Sequence, residues 1–180
     1  MPIMDVRYAA GALDEAQKAE LAKALTDLLV QMEGGAGTTA GLAFALVQFS
    51  RFEPGDWWAG GSADGRFVAT PGAFHVHVSI PEGYMSQQHK DEVHAGVNRA
   101  ILAATGRRDG GGSILVVIHE VPEGNWSCAG RMISIASIAD SVGLPKTGER
   151  FAWVRAYFAA KARARAAAGY PADTGGLLSS

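Results

Sequence analysis

Apolar and polar positions follow one order twice along this chain, in residues 2–61 and again in 74–130. Each copy opens on a short strand-like run, Ile3–Tyr8 and Phe74–Ile80. In the second run His75 and His77 alternate with Val76 and Val78, so both histidines share one strand face. A glycine turn follows, Ala10-Gly11-Ala12-Leu13 in one copy and Glu82-Gly83-Tyr84-Met85 in the other. Helical spacing then takes over, with Leu21, Leu25, Leu28, Leu29 and Met32 on one stripe and Val93, Val97, Ala100, Ile101 and Ala104 on the other. Asp14 and Ser86 are placed to cap these helices, and Gly34-Gly35 and Gly106 to end them. A second strand comes next, Leu42–Phe52 and Ile114–Val121. Matching turns close the copies, Glu53-Pro54-Gly55-Asp56-Trp57 and Pro122-Glu123-Gly124-Asn125-Trp126.

Each copy therefore reads as β-α-β, and a right-handed crossover makes its two strands parallel. One such unit leaves a sheet face bare. Two side by side give an α/β (α+β) fold, a four-stranded mixed sheet with both helices on one face. The predicted organisation is a first unit over residues 1–61, a linker or hairpin over 62–73, a second unit over 74–142 and a C-terminal helix and tail over 143–180. Trp153, Val154, Tyr157 and Phe158 are expected to dock that helix, with Arg155, Lys161, Arg163 and Arg165 on a solvated face. Residues 169–180 read as disordered.

Composition narrows the function classes. The 180 residues are 48% hydrophobic and 19% charged, with formal net charge -2, so no global basic field invites nucleic acid. The single cysteine, Cys128, rules out an internal disulfide and suits a reducing compartment. No apolar run is long enough to span a membrane, and no signal peptide is seen at the N-terminus. The expectation is a cytoplasmic protein.

Pro2 carries the chemistry. Initiator methionine is normally trimmed before a residue as small as proline, which leaves a secondary amine at the head of a strand. An α-amino group titrates near ~7.7, and burial in an apolar pocket lowers that value. Such an amine exchanges protons near neutral pH. The second unit begins inside the chain at Phe74, where the nitrogen is a peptide and not basic. Its counterpart site is therefore expected to be filled by side chains or to be purely structural.

An N-terminal proline opening a duplicated β-α-β unit resembles the tautomerase superfamily. The run Val116-Val117-Ile118-His119-Glu120-Val121-Pro122-Glu123-Gly124-Asn125-Trp126 is similar to the second strand and turn of small 4-oxalocrotonate tautomerase-type proteins. The first half, through Ala22-Lys23-Ala24-Leu25-Thr26-Asp27 and Val47-Gln48-Phe49, resembles the fused branch that includes cis-3-chloroacrylic acid dehalogenase. The resemblance implies a homotrimer of fused chains and a cofactor-free site where the proline amine shuttles a proton. It also implies arginines that bind a carboxylate, and here the chain departs. Ala12 and Leu46 stand at those places in the first unit, and Tyr84 and Leu115 in the second. In the dehalogenase pattern, Pro81 and Tyr84 replace two arginines, Leu29 a histidine, Val117 a tyrosine and Cys128 a glutamate. Haloacrylate dehalogenation by the usual mechanism is not expected.

Candidate substrate-binding residues follow. Gln48 is a neutral donor on the second strand, and Arg51 and Arg131 are cations near the unit ends. His119 is a candidate general acid. Trp57 and Trp126 match an aromatic position that walls the site in single-unit tautomerases. His75 and His77 have the spacing of metal ligands but lack a nameable third, so no metal is assigned. The reading is a proline-dependent keto-enol isomerase acting on a small enol or 2-oxo acid, without cofactor, nucleic acid or membrane partner. A hydratase or decarboxylase of the same superfamily and a non-catalytic trimeric relative are the alternatives.

Overall fold

The computed structural model describes residues 2–32, 37–172 and 174–178. Strand β1 (Ile3–Ala9) leads to helix α1 (Glu15–Met32), a short helix α2 (Thr39–Phe44) and strand β2 (Leu46–Phe52). The second unit runs β3 (Phe74–Pro81), α3 (Gln87–Ala104) and β4 (Ile114–Val121). A hairpin β5 (Trp126–Cys128) and β6 (Arg131–Ile133) follows, then α4 (Ile135–Val142) and α5 (Glu149–Ala167).

The main sheet has the order β2-β1-β3-β4. Strands within a unit are parallel, and the units meet antiparallel at β1 and β3. This is the duplicated four-stranded mixed sheet that the repeat predicts. Strand alternation sends Met4, Val6, Val76, Val78 and Ile80 into a fully buried core with Leu21, Leu25 and Leu29 of α1 and Val93, Val97 and Ile101 of α3. The helices approach closely at Gly96, where a Cβ would lie 2.7 Å from Leu28 Cδ1. Reciprocal capping fixes both helix starts. Asp14 and Gln17 exchange amide-to-side-chain bonds of 2.9 and 2.8 Å, and Ser86 and His89 form the same box.

Several boundaries differ from expectation. Leu42 belongs to α2, not to the second strand, because Thr38 Oγ1 accepts from Gly41 N and starts a helical turn. The predicted glycine stop at Gly34-Gly35 lies outside the described residues. Residues 62–73 form turns around Gly65 and Val68, in keeping with the linker alternative, and a hairpin β5–β6 lies further along the chain. It turns through Ala129 and Gly130, both at positive φ as a two-residue hairpin loop requires.

Helix α5 docks through Phe151, Val154 and Phe158, while Trp153 is 50% exposed. Positions 151, 154 and 158 lie on one stripe and 153 falls off it. Lys161, expected in solvent, instead reaches Glu82 at 2.6 Å. Tyr157 Oη donates to the same carboxylate at 2.8 Å. Beyond α5 the chain folds back: Tyr170 lies under Arg165, and Leu177 packs against the core. The described part of the tail is thus ordered against the body, because Leu177 and Leu178 have apolar surface to cover.

Candidate active site

Pro2 is buried immediately before β1, on the strand face that carries Met4 and Val6. Its carbonyl accepts from Leu46 N at 3.2 Å. Ile3 pairs with Leu46 on one side and Ser79 on the other, and Ser79 pairs with His119. One step further along the register, Pro2 faces Ile80. The glycine turn after β3 begins just beyond, with Tyr84 N donating to Pro81 O at 3.4 Å. The end of the sheet that holds Pro2 is therefore also the end where α3 begins and where β4 passes into the Trp126 hairpin.

Helices α4 and α5 cover this end. Ile135, Ile138, Ala139 and Leu144 line a narrow crevice with Pro81 and Tyr84. It shares Tyr84 and Leu144 with a cavity of about 150 Å³ lined also by Pro145, Gly148, Glu149, Arg150 and Phe151. The Arg150 guanidinium lies 5.4 Å from the Tyr84 ring centroid and donates to Tyr84 O at 3.2 Å. It also sits 3.1 Å from His89 Nε2. Burial, and then the Arg150 charge, push the His89 pKa down, which favours the uncharged imidazole beside the arginine.

Trp126 is 8% exposed, and its Nε1–H has no hydrogen-bond partner among the described residues. A buried indole N–H without an acceptor is uncommon and marks a place where a polar atom would be welcome. Glu123 anchors the same region by accepting from Ile135 N at 3.1 Å. Burial raises its pKa, against the backbone hydrogen bonds it receives.

The other expected residues scatter. Gln48 is exposed on the sheet face away from the helices, opposite Asp5. His119 lies on that open face too, with its Nε2 2.8 Å from His77 Nδ1. His75 stands 4.2 Å from His77 between ring centroids. The expected histidine pair thus gains a third member across the β3–β4 ladder, a long-range pairing that spacing cannot reveal. Among the described residues, no group of three or more His, Cys, Asp or Glu is arranged to hold a metal ion. The His77 pKa falls, chiefly through burial and then through its two histidine neighbours and Arg7, against Asp5. Arg131 is exposed in the hairpin opposite Cys128, which is exposed as well.

Arg51 and Trp57 belong to the opposite end of the sheet. Arg51 pairs with Tyr8 in the ladder and forms an ion pair with Glu53 at 3.1 Å. At ~3.3 Å per residue, its position is about 16 Å along β2 from Leu46. Trp57 stacks on Phe52 with centroids 5.1 Å apart. Both rings line a cavity of about 250 Å³ that reaches Ala9, Phe67 and Ala73. Ala73 precedes β3 as Pro2 precedes β1, so this cavity occupies the counterpart position in the second unit. It is open rather than filled by side chains, which leaves the purely structural alternative.

Arg150 is the functional candidate that sequence reasoning passed over. A signal was present: residues 150, 154, 157 and 161 form one helical stripe, and Val154, Tyr157 and Lys161 all turn inward.

Residues 75–136 match the family described as tautomerase enzyme. No curated protein matches the chain significantly. Among solved structures, a native fused 4-OT is similar at 21% identity, covering 72% of this chain and 94% of that one, with a TM-score of 0.58. A member of the cis-3-chloroacrylic acid dehalogenase family is similar at 20% identity, covering 73% of this chain and 82% of that one, with a TM-score of 0.56. The macrophage migration inhibitory factor of Toxoplasma gondii has a TM-score of 0.56 at 14% identity, over 73% of this chain and 99% of that one. At these identities the likeness establishes the fold. Residues 75–136 therefore match the tautomerase family model, and the chain as a whole shares the fold of the fused, two-unit 4-OT structures.

Proposed function

We propose that this protein is a cofactor-free keto-enol tautomerase in which the Pro2 amine, freed by removal of Met1, acts as general base and then as general acid. The observation that carries this reading is the burial of Pro2 at the head of a central strand. A neutral secondary amine there takes the hydroxyl proton of a small enol and returns a proton to carbon. Burial favours the neutral form at physiological pH because the ammonium would lose hydration. Trp126, with its unpartnered indole N–H on the hairpin that follows at this end of the sheet, is a donor for the substrate's oxygen.

A homotrimer is part of the proposal. The open sheet face carries Leu46 at 39% and Leu115 at 53% exposure beside half-buried Ile3 and Val117. Packing against further copies covers that apolar surface. Support comes from the similar fused 4-OT structures described as trimers.

The test is tautomerization of phenylenolpyruvate by protein whose native N-terminus has been read by mass spectrometry. Pro2→Ala is expected to lower the rate at least ~100-fold, the scale of a lost general base. Activity in protein that retains Met1 would remove the amine from the mechanism, and an unchanged rate in Pro2→Ala, which keeps a primary α-amine, would remove the proline ring from it.

A further inference from the structure

We infer that Arg150 binds the carboxylate of the substrate, which makes the C-terminal helix α5 part of the active site and the substrate a monoanion. The inference rests on the Pro2 end being the site, and its test separates the two. Arg150 is half-buried, yet among the described residues no carboxylate forms an ion pair with it. Its contacts include a backbone carbonyl, the His89 imidazole and an aromatic face. These fix the guanidinium in place without neutralising it. A guanidinium has five N–H donors in a planar fork that fits a carboxylate with two parallel bonds.

The cavity supplies the room. Its volume of about 150 Å³ is lined by Tyr84, Leu144, Pro145 and Phe151. An engineered cavity of roughly that volume accommodates a benzene ring, so a carboxylate on a short carbon skeleton is of the right scale. Glu149 also lines this space, and it disfavours a second negative charge on the ligand. Tyr84 then links the two halves of the site. It lies in the turn just beyond the residue opposite Pro2, and it carries Arg150 on its ring and its carbonyl. The sequence has Tyr84 where the family resemblance implies an arginine. Here the cation comes from a different element and stacks on the replacement.

The test measures binding, not turnover. Phenylpyruvate and its neutral methyl ester are titrated against full-length protein by calorimetry, both in the parent and in the Pro2→Ala background. Arg150→Gln should weaken phenylpyruvate binding about 10- to 100-fold, the worth of a charged hydrogen-bonded contact, and leave the ester unchanged. Arg150→Lys should recover part of the loss, since it keeps the charge without the fork. The same pattern in Pro2→Ala protein supports the carboxylate site whatever the fate of the amine mechanism. Equal affinity of Arg150→Gln and parent for phenylpyruvate would overturn the inference and leave Arg150 as a staple between α5 and the β3–α3 turn. So would an equal loss for acid and ester, read beside unchanged melting temperatures.

Discussion

Gly83→Ala tests how α5 is held, because the turn and the helix meet there with no spare volume. Gly83 has φ +70°, a conformation that costs an alanine about 1–2 kcal/mol. A Cβ at this position would lie 2.2 Å from Tyr157 Cδ1 and 2.6 Å from Cε1. The ring cannot simply rotate away. Its hydroxyl is bound to Glu82 at 2.8 Å and its edge packs on Phe158 with centroids 5.2 Å apart. Displacing it forfeits a hydrogen bond to a charged group, worth about 1.5–3 kcal/mol. Added to the backbone strain, the expected loss is about 2.5–5 kcal/mol, bounded above by the free energy that docks α5. Urea denaturation measures the total, and native-state hydrogen exchange should place the loss in the α5 amides. A double-mutant cycle with Tyr157→Ala isolates the clash. Removing the ring should leave only the strain of about 1–2 kcal/mol for the second substitution. If Gly83→Ala costs as much without the ring as with it, the ring is not the obstacle and the account is wrong.

Two further outcomes are expected. Acid should destabilise the fold from about pH 6.5 downward, since the folded state depresses the pKa of both His77 and His89 and so binds fewer protons than the unfolded chain. His89→Gln should flatten the upper part of that stability profile in thermal melts between pH 5 and pH 8, and an unflattened profile would exclude His89 as a contributor. Leu115→Asp should shift the assembly toward the 18.8 kDa chain mass in light scattering without unfolding it, because its side chain stands on the open sheet face. A trimer unaffected by that change would mean that the open face is not the interface.

The fold was legible because it is written twice. Each copy repeats a strand, a glycine turn, a capped helix and a second strand, and those local signals agree with the final sheet. What escaped was non-local. The meeting of His77 with His119 depends on the β3–β4 register, the separation of Arg51 and Trp57 from Pro2 on the parallel pairing of β1 with β2, and the join of the two units on the antiparallel pairing of β1 with β3. Matching positions in the two units therefore end at opposite edges of the molecule. Arg150 escaped for a related reason: α5 lies outside the repeat, so neither the duplication nor the resemblance assigned it a place.

The single covalent chain also changes how these two edges can evolve. In an assembly of identical single units, any substitution appears at every site at once. Here a change at Ala73 leaves Pro2 untouched, and a change at Tyr84 leaves Ala12 untouched. One edge can keep an amine chemistry under selection while the other drifts. The tail that gives Arg150 to one edge has no second copy to give the other. The open cavity beside Ala73 is a space of about 250 Å³ walled by Phe52, Trp57 and Phe67, at the place that corresponds in the second unit to Pro2, free to change without altering the first edge.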